Sequence, residues 1–110
     1  MDRDETNKKI EELQVLEQHL QGILMQKQSL QVEMNEINNA IKEVGTAGDE
    51  VYKIISGAMI RSDKKKITKD LDAQNKEVSM KINALEKQEK LLETKAKSLR
   101  EEINKESQSQ

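Results

Sequence analysis

His19 is the one histidine of the sequence, and there is no cysteine. The side chains that most often ligate transition metals or form a nucleophile–base pair are therefore nearly absent. A lone imidazole, with no carboxylate cluster at ligand spacing around it, falls short of the three or four converging donors that a metal site needs. Acid–base chemistry by paired carboxylates needs a concave pocket to hold them, and a chain of helical stripes offers none. The glycines, Gly22, Gly45, Gly48 and Gly57, lack the spacing of a phosphate-binding loop. These residues argue against an enzyme, against nucleotide use and against any bound cofactor.

One concentrated run of charge remains, Lys64-Lys65-Lys66. It has no interleaved aromatic side chains and sits in a chain of net charge −2, so a solvated face is expected, with neither nucleic acid nor membrane as partner. The longest largely apolar stretch, residues 52–60, is interrupted by Lys53, Ser56 and Gly57. It falls well short of the roughly 20 apolar residues that span a bilayer. The start, Met1-Asp2-Arg3-Asp4-Glu5, is charged and unlike a secretory signal. A cytoplasmic location is expected, and the lack of cysteine is compatible with a reducing compartment.

What is left is binding through aliphatic side chains, and the question becomes which elements position them. Charged residues make up 36% of the 110 positions, hydrophobic residues 34%, and Tyr52 is the only aromatic. An ordinary compact core draws much of its buried area from aromatics, so composition leaves disorder or a thin structure whose core is a stripe. The near-balanced charge and the absence of proline favour long helices.

The stripe is present. Steps of three and four give Leu13, Leu16, Leu20, Ile23, Lys27, Leu30, Met34, Ile37, Ile41 and Val44, nine of ten apolar. A second series runs through Leu71, Asn75, Val78, Ile82, Leu85, Glu89, Leu92, Ala96, Leu99 and Ile103, eight of ten apolar. Both are heptads of a coiled coil. The spacing predicts helices over about residues 6–44 and 63–106, the first about 60 Å long at ~1.5 Å per residue. Ser62 or Asp63 can cap the second.

Between them, Val51-Tyr52-Lys53-Ile54-Ile55 and Ala58-Met59-Ile60-Arg61 flank Ser56-Gly57, which reads as a β-hairpin over residues 50–61. Pairing Leu13 with Leu99 and Ile41 with Leu71 gives a constant sum of 112, twice 56, the position of the turn. The heptads thus fold back about the hairpin. Residues 1–43 carry 5 basic and 9 acidic side chains, and residues 64–106 carry 12 and 9, so an acidic helix faces a basic one. The heptad exceptions Lys27 and Glu89 fall in adjacent layers, where they are expected to approach each other and help set register; the competing reading is two side chains that snorkel outwards separately. A two-stranded hairpin with apolar residues on both faces and open edges is unstable alone. Residues Val51, Tyr52, Ile54, Ile55, Ala58, Met59 and Ile60 are therefore expected to meet hairpins of other chains; the alternative is an apolar hairpin folded back over its own helices.

The run from Val51 to Asp63 resembles the hairpin signature of β-class prefoldin subunits, a V-Y-K segment followed by apolar residues about a glycine-containing turn, set between two coiled-coil helices. Ser56 and Gly57 stand where many members have Gly followed by Pro or Asn. The resemblance implies a mainly α fold, a long antiparallel two-helix coiled coil whose connecting hairpin oligomerises into a β-barrel body. It further implies a hexamer of two α-type and four β-type subunits, which captures unfolded proteins without ATP and passes them to a group II chaperonin. In that arrangement both chain ends lie at the free end of the coiled coil. Ile10, Val15, Leu24, Met25 and Leu91 miss the heptad stripe there, and are expected to form an adaptable apolar lining for clients. The alternatives are scattered surface apolar residues for that group, and for the whole chain a structural coiled-coil adaptor that dimerises and recruits one partner.

Overall fold

The computed structural model describes the backbone of residues 3–48, 50–55 and 58–108, and side chains for residues 3–48 and 63–108. The elements in chain order are α1 (Arg3–Thr46), β1 (Glu50–Ile55), β2 (Ala58–Asp63) and α2 (Lys64–Gln108).

Helix α1 runs beyond its expected bounds at both ends and α2 at its C-terminal end. Strand β2 continues to Asp63, past the expected hairpin end at 61, and so delays the start of α2 to Lys64. The helix ends show why. Asp4 and Glu5 lie in the first turn of α1, where negative charge complements the helix dipole. Its last turn has no basic residue of its own. Lys64, the first residue of α2, supplies the missing cation by donating from Nζ to the Ala47 carbonyl at 3.0 Å. Thr46 Oγ1 donates to the Glu43 carbonyl at 3.1 Å and the Ala47 N–H to that of Val44 at 3.2 Å, which closes the helix. Asp63 caps α2, since its Oδ1 accepts the Lys65 N–H at 3.1 Å, while Ser62 is a ladder residue opposite Val51. The lysine run is thus partly structural. Lys64 sits unfavourably at the start of its own helix, yet it meets the electron-rich end of the other.

Strands β1 and β2 pair antiparallel as a two-stranded sheet, from Glu50 opposite Asp63 to Ile55 opposite Ala58. Every pair in the ladder sums to 113. The expected turn, Ser56-Gly57, lies outside the described residues, as do the side chains of Val51, Tyr52, Ile54, Ile55, Ala58, Met59 and Ile60.

The chain divides into two compact units, each containing a piece of both helices. Residues 29–82 form one. Its core is Ile37, Val78 and Ile82, with Leu30, Met34 and Ile41 packed against it. Asn75, a polar member of the heptad, donates from Nδ2 to Asn38 Oδ1 at 2.8 Å. Residues 1–28 and 83–110 form the other, with Ile23 at 2% exposure and Ala96 at 0% as its most buried side chains.

Within each helix burial follows the heptad. All ten expected positions of α1 are buried or half-buried, and Ala40 is the only other residue of 13–44 that is not exposed. In α2 the ten expected positions are again covered, joined over residues 71–103 only by Ser79. Among the described residues, no helix is long and apolar enough to cross a membrane.

Candidate functional site

With Leu13 at a, helix residues at b, c and f point away from the partner helix and those at e and g only flank the seam, so apolar residues there are left wholly or partly uncovered by their own fold. In the unit of residues 1–28 and 83–110, Ile10 is 37% exposed, Val15 64%, Leu24 43%, Met25 65% and Leu91 70%. Ile10 and Leu24 share the e position fourteen residues apart, hence one face of α1. Met25 and Val15 lie on its outer side, and Leu91 is on α2. The off-stripe rule also selects Val32 and Met80, in the unit of residues 29–82, at 58% and 71% exposure. Both lie away from the chain ends, where no client lining was expected.

The polar members of the seam are bonded across it. Lys27 Nζ lies 3.0 Å from Glu89 Oε1, both side chains about four-fifths covered. Arg100 reaches Glu17 at 3.4 Å on the surface. Towards the chain ends the heptad continues through three polar residues that a count of apolar positions misses: Thr6, Lys9 and Glu106 occupy successive a, d and d positions. Glu106 is buried to 9% exposure. It accepts from the Thr6 hydroxyl and from Lys9 Nζ at 2.9 Å, while Lys9 also pairs with Glu102 at 3.2 Å. Thr6 and Glu106 sum to 112, the register read from the apolar heptads. The Thr6 hydroxyl and then the Lys9 ammonium hold the Glu106 carboxyl below its ordinary value of 4.5. The hydrogen bond to Glu106 in turn raises the Lys9 ammonium above 10.5, against the opposing effect of burial.

Among the described residues no group of three His, Cys, Asp or Glu side chains gathers to hold a metal ion. A surface recess of about 1030 Å³ on α2 is lined by Asp63, Lys65, Thr68, Lys69, Asp72 and Lys76 among others. Its lining mixes four lysines with two aspartates, and it contains no histidine or cysteine to act as base or nucleophile.

Comparison with known proteins places this geometry in a family. The family described as "Prefoldin subunit" matches residues 7–110. The prefoldin subunit beta of Thermococcus onnurineus is 33% identical over 94 residues, covering 84% of this chain and 81% of that one. That of Sulfurisphaera tokodaii is 31% identical, covering 84% and 75%. The crystal structure of the prefoldin beta subunit from Thermococcus strain KS-1 superposes with a TM-score of 0.86 at 30% identity, over 92% of this chain and 90% of that one.

Proposed function

The chain belongs to the prefoldin subunit family, whose members are chaperone subunits that assemble with other prefoldin subunits, and on that premise we propose that it is a β-type subunit of an ATP-independent holdase. In this reading β1 and β2 join the corresponding strands of neighbouring subunits in a closed β-barrel body, within a hexamer of two α-type and four β-type chains. Closure removes the open edges of a two-stranded sheet. The helices carry the client-binding surface, and captured chains pass to a group II chaperonin in the cytoplasm. No catalytic step, cofactor, nucleic acid or membrane enters the proposal.

One observation carries it: five apolar side chains off the heptad stripe, Ile10, Val15, Leu24, Met25 and Leu91, stand exposed in the unit that contains both chain ends. Each contact they offer an unfolded segment is weak. Several subunits binding one client combine such contacts through effective concentration.

The test is to co-express the chain with an α-type subunit, measure the mass by light scattering, and follow the aggregation of a denatured protein without ATP. A hexamer that suppresses aggregation, and loses most of that protection when Ile10, Val15 and Leu24 are replaced by Ser, is the expected result. A discrete coiled-coil dimer without protection would instead support a structural adaptor.

A further inference from the structure

Over residues 13–28 the outer face of α1 carries no charged side chain, in a chain where 36% of residues are charged. Glu17 and Lys27 are the acidic and basic side chains of residues 13–28 besides His19, and both are turned to α2, Glu17 to Arg100 at 3.4 Å and Lys27 to Glu89 at 3.0 Å. On α2 the equally long stretch of residues 85–100 contains eight charged side chains. The face left on α1 presents Gln14, Val15, Gln18, Gln21, Gly22 and Met25, all exposed. Their positions fall within one broad arc of the helix surface. A Cβ at Gly22 would meet nothing within 4 Å, so the helix backbone itself is open to an approaching chain there.

We propose that this face of α1 is the part of the client-binding surface that selects uncharged segments of unfolded chains, those rich in aliphatic and amide side chains, over charged segments of equal length. The inference rests on the holdase reading above and adds the class of client segment. Glutamine amides offer both donors and acceptors to the unpaired N–H and C=O groups of an unfolded backbone. Met25 adapts its shape to varied side chains, and Val15 adds fixed apolar area. A charged side chain of the client docked here would lose water and find no counter-ion among residues 13–28, since Glu17 and Lys27 are already paired; the nearest other charge of this face is Glu11, at its edge. Charge complementarity for a neutral face is a neutral partner, and binding to it is insensitive to salt because no ion pair is screened.

The experiment uses the full chain in its purified assembly and three fluorescent peptides of equal length. One is built from Gln, Leu, Met and Ser; in the others, alternate Gln and Ser residues are replaced by Glu or by Lys. A photo-crosslinking amino acid is placed at Gln21 on α1 or at Gln88 on α2, and protection of a denatured protein is measured in parallel. The neutral peptide is expected to bind at least about tenfold more tightly than either charged one. Its affinity should change by less than about twofold between low and high salt, and it should crosslink from Gln21 and not from Gln88. The triple change Q18K, Q21K and Q28K should shift preference to the Glu peptide. Equal binding of all three peptides, or crosslinking chiefly from Gln88, overturns the assignment while protection of the denatured protein leaves the holdase reading standing. Loss of protection by the unsubstituted assembly overturns both.

Discussion

Lys27 and Glu89 interrupt two otherwise aliphatic heptads, and each alone would weaken its layer; bonded at 3.0 Å they form a unit. Both side chains retain some solvent, so the pair adds little net stability, a coupling of roughly 0.5–1 kcal/mol in a double-mutant cycle. Lys27→Ala should therefore cost about 1–2 kcal/mol, chiefly by leaving Glu89 half-buried without its partner. The change of both residues to Leu should raise Tm in a thermal melt followed by circular dichroism, as replacement of polar seam pairs by packed aliphatics commonly does. The cluster of Thr6, Lys9 and Glu106 responds to pH. Glu106 has its pKa lowered in the folded chain, so its contribution is present above the unfolded carboxylate value and fades as pH falls through the lower folded one. Lys9 has its pKa raised, so its contribution is present below the unfolded lysine value and is lost as pH rises through the folded one. Amide exchange near both chain ends should accordingly be slowest between these limits and quicken in acid, and Glu106→Gln should flatten the acid arm.

At the scale of the element, the heptad determines which face each helix buries and the caps determine where it stops. Ala96, at 0% exposure, occupies a seam position where the other heptad residues of α2 are mostly larger. Ala96→Leu should cost about 1–3 kcal/mol by overfilling that layer, whereas Ile82→Ala in the other unit should cost about 2–4 kcal/mol by emptying one. Thermal melts of the two variants distinguish a packed seam from a loose one, in which the larger residue would stabilise. The stripe was legible in the sequence because a sustained period of 3.5 in aliphatic residues is what a coiled-coil seam requires and what little else produces. Its continuation through Thr6, Lys9 and Glu106 was not, since polar residues at those positions carry no hydrophobic signal. Likewise, either Ser62 or Asp63 satisfied the capping pattern, and the hydrogen bond settled the matter, since it is Asp63 Oδ1 that accepts the Lys65 N–H.

At the scale of the molecule, charge is arranged by helix. The acidic first half and basic second half favour their antiparallel pairing. The ionised groups of residues 13–28 are used towards α2, and that leaves the outside of α1 neutral there. One aromatic in 110 residues is a deficit for a self-contained core. It is no deficit for a subunit that buries aliphatic stripes within itself and, in the assembly proposed above, shares its strands with others; co-expression and light scattering test that assembly.

The sequence by itself determined the two helices, their buried faces, the fold-back about the segment near residue 56 and the family, because periodicity and a short signature survive without any knowledge of contacts. The heptads also brought Lys27 and Glu89 into adjacent layers, and the tertiary structure decided that they bond to each other; it alone paired Asn38 with Asn75, Glu106 with Thr6 and Lys9, and Lys64 with the end of α1. Those partners lie 17 to 100 residues apart. Aliphatic layers tolerate several registers of nearly equal energy, whereas a directional hydrogen bond between two half-buried groups is satisfied in only one.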